Sequence, residues 1–439
     1  MKFEINDFFE TKEGNKCKII GTLGQGAQGH VYLVDYDGKQ YALKIYKENP
    51  SQEFKKNIFN NIHMKSPSEN FLWPKVSFEW GDGTFGCLMD LIPNTYSSFI
   101  SYLNGKTNFK NLVTKLNWCI ELVNSFKALH EKGYSYQDIN DGSFFLEGET
   151  GKLLICDNDN ITANKNNLGI LGKIKYMAPE IVRGDINPLT NKPQLPDIHS
   201  DRFSIAVILF MTLCYGNPFE GKKLKDYLIV DAKAEYELYG KDPVYIYSKV
   251  NSSNRPIHGY HTTVMNIYPT LPFYIKEAFH RTFVDGIRDR ENGRVTELEW
   301  IKLLCRYRDE ITKCEKCGNE FYHKNITYKS ENLCPNCDGI VTKKFVLYIG
   351  KKRILLHPGK SIYDTHLNKF SDKYTLARGE VIKNTHNPNL WGIKLNLDND
   401  VEIRDTNLNI KTINSHGIIP IIKDLEINFG SVIGKIVVE

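Results

Sequence analysis

The stretch from residue 24 to residue 44 constrains the fold more than any other. It reads Gly24-Gln25-Gly26-Ala27-Gln28-Gly29-His30-Val31, then an apolar run, then Tyr41-Ala42-Leu43-Lys44. Glycines at this spacing let a backbone turn approach phosphates with no side chain in the way. In a dinucleotide-binding fold the turn passes from a strand into a helix. Here it passes into Val31-Tyr32-Leu33-Val34, a turn at Asp37-Gly38, and a second strand ending at Lys44. That is strand, turn, strand. The context excludes the dinucleotide reading and predicts a hairpin flap over a nucleotide. Gly24, Gln25, Gly26, Ala27 and Gly29 would line the phosphates, Val31 and Ala42 the base, and Lys44 would reach the phosphates as a point charge.

The chain's 439 residues allow two or three domains, and 41% hydrophobic with 25% charged residues is ordinary for a globular protein. A net charge of +5 is small for this length and gives no argument for nucleic acid or membrane. The first ten residues lack the apolar core of a signal peptide, and the longest apolar run, from Ile205 to Leu213, is far short of the ~20 residues that span a bilayer. A cytoplasmic protein is expected. Four of ten cysteines form two tight pairs and six are scattered, a pattern for a reducing compartment with a metal site.

The period of the pattern changes along the chain. Residues 1–93 read as a strand-rich lobe with one helix, Ser51 to Met64, with apolar positions at Phe54, Ile58, Phe59 and Ile62. Further strands are expected at Phe71 to Val76 and Phe85 to Met89. Residues 94–312 are mainly helical. Leu112, Leu116, Ile120, Val123, Phe126 and Leu129 mark one strong amphipathic helix ending at Gly133, and Leu298 to Ile311 marks another. Residues 313–340 hold the paired cysteines. Residues 341–439 alternate over short segments between Gly, Asn and Asp turns, as a β-sandwich or small barrel does.

After the strong helix come Tyr136-Gln137-Asp138, then Cys156-Asp157-Asn158-Asp159, then Ala178-Pro179-Glu180, then Asp201 opening an apolar helix, then Arg294. With the flap, these motifs resemble the protein-kinase superfamily, in its order. The resemblance implies an α+β, two-lobed fold, followed here by a zinc ribbon and the β-rich domain. It implies that Asp138 steers an attacking hydroxyl and accepts its proton, that Asp157 holds Mg²⁺ against the phosphates of ATP, and that Arg294 pairs with Glu180. The chain departs from the pattern at several points. Gln137 replaces an arginine, Asn140 a lysine, Ser143 a metal-binding asparagine, Asn158-Asp159 a Phe-Gly, and Lys173 a threonine. Ser143 is thus a weak second magnesium ligand. Lys44 normally pairs with a helix glutamate. Glu53 is the one candidate, short in spacing and equally suited to a solvated helix start.

Cys314-x-x-Cys317 and Cys334-x-x-Cys337, sixteen residues apart, have the spacing of a closed four-thiolate zinc site. His323, between the pairs, reads as a loop residue. Asn70-Phe71-Leu72-Trp73-Pro74, the Asp157-Asn158-Asp159 run and Asn389-Leu390-Trp391-Gly392 resemble bacterial serine/threonine kinases with a C-terminal zinc ribbon, found in tellurite-resistance-type stress gene clusters. That resemblance implies von Willebrand A-type and PP2C-like phosphatase partners. The closing Ile427-Asn428-Phe429-Gly430 resembles forkhead-associated sandwiches. The Gly-Arg and Ser-x-x-His residues that hold a phosphothreonine there are not found, so a docking domain is the simpler expectation. The whole predicts an ATP- and Mg-dependent serine/threonine protein kinase. A nucleotide-binding pseudokinase scaffold and a small-molecule phosphotransferase are the alternatives.

Overall fold

Alternating apolar residues build the first layer, an antiparallel sheet. Its strands are β1 (Phe8–Glu10), β2 (Lys16–Gln25), β3 (Gly29–Tyr36), β4 (Lys39–Tyr46), β5 (Val76–Glu79) and β6 (Phe85–Met89), in the order β1-β2-β3-β4-β6-β5. The computed structural model describes every residue except 1–2, 11–15, 27, 170–171, 323–332 and 341–344. Asp37 (φ 53°) and Gly38 (φ 77°) supply the two left-handed residues that a tight hairpin turn needs between β3 and β4. The helix α1 (Gln52–Met64) packs Ile58 against Tyr46, Phe85 and Cys87. Ser51 caps it, its hydroxyl accepting from the Phe54 amide at 3.2 Å. Phe59 is not on the buried face; it is 55% exposed and lies against the His63 ring.

The expected strand from Phe71 to Val76 is mostly something else. Only Val76 onward joins the sheet, while Phe71 makes one parallel bridge to Ile155 of the large lobe. The Leu72 amide donates to the Ile155 carbonyl, and the Ile155 amide to the Asn70 carbonyl, both at 2.8 Å. Pro74 cannot donate to a ladder, so the apolar run serves as the stitch between lobes.

The large lobe is a helical layer around one core. Its first four helices are α2 (Phe99–Leu103), α3 (Leu112–Glu131), α4 (Pro179–Arg183) and α5 (Ile198–Cys214). Asn111 and Thr114 form a capping box at the start of α3, and Gly133 (φ 79°) turns the chain out after it. α5 is apolar from Phe203 onward save Ser204 and Thr212, and is buried accordingly, against α3; the last helix of the lobe, Glu297–Asp309, packs on α3 as well. That helix stops before Ile311, short of the predicted end. Ile311–Lys313 instead forms a strand with Glu320–Tyr322 of the cysteine module, a better use of the β-branched pair Ile311-Thr312.

The C-terminal β-rich region is a sandwich of two sheets. One runs Lys352–Leu356, Phe345–Ile349, Ile433–Val438, Glu426–Asn428, Val401–Arg404, Ile410–Ile413; the other runs Ser361–Tyr363, Ala377–Lys383, Trp391–Leu395, Ile418–Pro420. Leu347, Ile354, Val381, Ile393, Ile427 and Ile436 fill the space between them. Its loops dock on the large lobe. Buried Arg308 lies 3.4 Å from the Tyr363 ring centroid and donates to Asn117 Oδ1 (2.8 Å) and the Tyr374 carbonyl (2.9 Å). Buried Lys360 donates to the Arg308 and Asp309 carbonyls, capping the last helix. His366 Nε2 meets the Asp309 carboxylate at 3.1 Å.

Candidate active site

The flap closes on Lys44. The Gly26 amide donates to the Gly29 carbonyl at 2.9 Å, and Lys47 Nζ to the Gly26 carbonyl at 2.7 Å. Lys44 Nζ donates to Gln28 Oε1 at 3.1 Å. The glycines have different reasons. A Cβ at Gly29 would stand 2.4 Å from the Ile45 carbonyl oxygen, so the fold itself demands glycine there. At Gly24 and Gly26 a Cβ would meet nothing within 4 Å. Packing does not demand glycine at those two. Gln25 ends β2 and is exposed. Val31 is the cross-strand partner of Lys44, and buried Ala42 pairs with Leu33 and Met89. Ala27 lies outside the described residues, as does His323.

Lys44 does not pair with Glu53, which is exposed in the first turn of α1. Its partners are Asp159, at 2.6 Å, and Asp157, at 3.7 Å. Asp159 Oδ2 also accepts from the Tyr46 hydroxyl at 2.7 Å. Burial opposes the Asp159 charge, yet Lys44 and Tyr46 outweigh it and hold the carboxyl below its usual range. Asp157 adopts a left-handed conformation (φ 55°) and keeps its side chain 51% exposed. Partial loss of water in the cleft raises its pKa, with Asp159 adding to the rise and Lys44 opposing it. Asn158 Nδ2 locks the same run to the carbonyls of Leu72 (2.9 Å) and Ile155 (3.0 Å). The amides of Asn57 and Asn61 on α1 both donate to the Ile161 carbonyl, at 2.8 and 2.9 Å. Neither Asp159 nor these asparagines was expected at the site. The available signal was the second acid two residues after Asp157 and the absence of any acid but Glu53 on α1.

Asp138 sits on a loop pinned by α5. Buried Asp201, in the first turn of α5, accepts from the Tyr136 amide at 2.6 Å and the Gln137 amide at 3.0 Å. Asn140 Nδ2 donates to Asp138 Oδ1 at 2.9 Å and to the Asp138 carbonyl at 3.0 Å. Burial raises the Asp138 pKa, with the Asn140 bond opposing it and Asp157 adding to it. Ser143 is fully buried, its hydroxyl 3.4 Å from the Asp138 carbonyl oxygen. Gln137 holds the segment that follows Asp157, since its amide donates to Thr162 Oγ1 and to the Asn166 carbonyl. Lys173 reaches Asp141 at 2.7 Å, and a Cβ on the preceding Gly172 would lie 3.2 Å from Asp138 Oδ1. The frame behind the loop is intact: Arg294 Nη2 donates to Glu180 Oε2 at 2.7 Å, and Arg290 Nε to Glu180 Oε1 at 3.1 Å.

The four paired cysteines converge, their sulfurs all within 4.8 Å of one another. Cys314 faces Cys337, and Cys317 faces Cys334, both at 3.6 Å. Zn–S bonds of about 2.3 Å in a tetrahedron give sulfur–sulfur edges of about 3.8 Å, so the set fits that ion. Gly318 turns out of the first knuckle with φ 74°.

Residues 17–255 match the family model for the protein kinase domain. Protein kinase YegI of Escherichia coli is 24% identical over 355 residues, which are 77% of this chain and 50% of that protein. Ribosomal protein S6 kinase alpha-2 of Homo sapiens is 24% identical over 251 residues, 53% of this chain and 31% of that protein. Serine/threonine-protein kinase OXI1 of Arabidopsis thaliana is 21% identical over 288 residues, 48% of this chain and 64% of that protein. The chain thus spans half or less of the first two relatives' length. Among solved structures, the autoinhibited serine kinase domain of the giant muscle protein titin aligns with a TM-score of 0.47 at 16% identity, covering 65% of this chain and 78% of that one.

Proposed function

The chain belongs to the protein kinase domain family, and on that premise we propose that it transfers the terminal phosphoryl group of ATP to serine or threonine hydroxyls of a protein substrate. The observation that carries the reading is the placement of Lys44 beneath the glycine flap and 3.7 Å from Asp157. Phosphoryl transfer asks mainly for positioning and charge neutralisation. Gly24, Gln25, Gly26 and Gly29 approach the phosphates with backbone, Val31 and Ala42 form the floor for the base, and Lys44 orients the phosphates. Asp138 receives the hydroxyl and its proton. Asp157, a half-exposed carboxylate with hard oxygen donors, is the residue for Mg²⁺, with the Ser143 hydroxyl as a weak second ligand. Magnesium, when bound, supplies positive charge to the nucleotide phosphates.

Cys314, Cys317, Cys334 and Cys337 hold a structural zinc ion with no open position. The proposed divisions are residues 1–93 and 94–312 for the lobes, 313–340 for the zinc ribbon and 341–439 for the sandwich. A cytoplasmic place in bacterial stress signalling, with von Willebrand A-type and PP2C-like partners, rests on resemblance and belongs to the same proposal. No helix among the described residues is long and apolar enough to cross a membrane.

The test is transfer from labelled ATP to a generic protein substrate with Mg²⁺ or Mn²⁺, beside Asp138→Ala and Lys44→Ala. Transfer lost in both variants supports the proposal. ATP-dependent thermal stabilisation without transfer under either metal supports a nucleotide-binding scaffold instead.

A further inference from the structure

A buried ammonium needs a carboxylate partner, because leaving it unpaired costs several kcal/mol. Lys44 is 7% exposed. The helix beside it offers no such partner: the buried positions on α1 are Ile58 and Asn61, and its one acid, Glu53, faces solvent. The carboxylate comes from Asp159, 4% exposed and 2.6 Å from the ammonium. Lys44 and Tyr46 are two residues apart on β4, so their side chains leave the same face, and both bond to one oxygen, Asp159 Oδ2.

We propose that Asp159 is a positioning residue that aims Lys44 at the nucleotide phosphates, from the segment carrying Asp157 instead of from the small-lobe helix. The inference rests on the reading that Lys44 holds those phosphates. It has a consequence for control. One short run, Asp157 to Ile161, carries the Mg²⁺ candidate Asp157, the partner of Lys44, and the carbonyl that anchors α1 through Asn57 and Asn61. Moving that run disables all three together. Moving α1 alone leaves the Lys44 pair intact.

A double-mutant cycle tests this with Lys44→Ala, Asp159→Asn and the pair, read as ATP affinity, with kcat, KM for ATP and KM for the protein substrate measured for wild type and Asp159→Asn. Asp159→Asn is expected to lower kcat/KM for ATP by at least about tenfold with the protein-substrate KM unchanged. The double variant is expected to match Lys44→Ala within about twofold, since Asp159 acts through Lys44. Full additivity, or an Asp159→Asn enzyme within about twofold of wild type, overturns the proposal. Tyr46→Phe retains the ion pair and guards against misfolding of Asp159→Asn. It should raise KM for ATP about threefold, a loss under 1 kcal/mol in line with one hydrogen bond, and an unchanged KM counts against the proposal. Wild type that binds ATP without transferring it defeats the proposed function alone, and the cycle in ATP affinity still decides. Wild type that does not bind ATP overturns both.

Discussion

Gln137 shows how one residue changes what a site needs. It stands in the left-handed region (φ 72°), and its neutral amide bonds Thr162 and Asn166 directly. The segment is therefore held without a phosphate, which an amide could not bind as a guanidinium does. Gln137→Ala should speed amide hydrogen exchange across residues 162–166 by about five- to tenfold, the worth of roughly one hydrogen bond. Unchanged exchange there would show that the amide holds nothing. Arg294 is a different case. It is buried and donates to Glu180, to the Gly286 carbonyl and to the His199 carbonyl. Arg294→Ala leaves Glu180 buried with only Arg290, and should cost about 3–5 kcal/mol in urea unfolding. The Glu180–Arg294 pair is readable in the sequence because both residues fall in ordered motifs. The Lys44–Asp159 pair is not, because the resembled pattern has a glycine where Asp159 stands, and only the lack of any acid but Glu53 on α1 hints that Lys44 must find its partner elsewhere.

At the scale of elements, the first turn of α5 and the end of α3 are joined by charge. His130 Nδ1 meets Glu297 at 2.9 Å and its Nε2 meets Asp201 at 3.1 Å. Burial opposes the imidazolium, but the two carboxylates outweigh it and raise the pKa to about 9. A folded pKa raised above the unfolded value near 6.5 stabilises fully below pH 6.5, and that stability is lost as pH rises through about 9. Unfolding free energy should fall by roughly 1–3 kcal/mol over that window, and the difference curve against His130→Gln should isolate the loss. A flat difference curve would mean that His130 is neutral in the fold. α1 was legible from its period and from Ser51, and Ser51→Ala should cost about 1 kcal/mol of stability. Its apolar stripe was over-read by one residue, Phe59, because periodicity does not say how wide a face the neighbouring sheet covers.

For the whole molecule, buried polar groups tie the sandwich to the large lobe. Lys360 caps the last helix, and burial lowers its pKa to about 8, an effect that Asp309 only partly offsets. Lys360→Met removes the donors that satisfy the Arg308 and Asp309 carbonyls. The sandwich should then loosen, seen as faster amide hydrogen exchange across residues 361–367 with the nucleotide response retained; unchanged exchange there would discount the cap. For the cysteine module, metal analysis of pure protein should give about one zinc per chain, and chelation should lower its thermal stability. A metal-free protein of equal stability would refute the zinc assignment.

Sequence alone determined what is local or periodic. The flap hairpin, α1, α3 and α5 follow from turn chemistry, caps and apolar spacing, and the cysteine knuckles follow from their short loops. Tertiary structure decided what depends on distant segments meeting. It made Phe71 to Trp73 a stitch between lobes, ended the last helix early so that Ile311 could pair with the cysteine module, and placed the sandwich loops on Asn117 and Arg308. Above all it gave Lys44 a carboxylate from Asp159, not from α1. The physical reason is one: a buried charge or an unpaired strand edge is satisfied by whatever the fold brings near, and sequence distance does not record that.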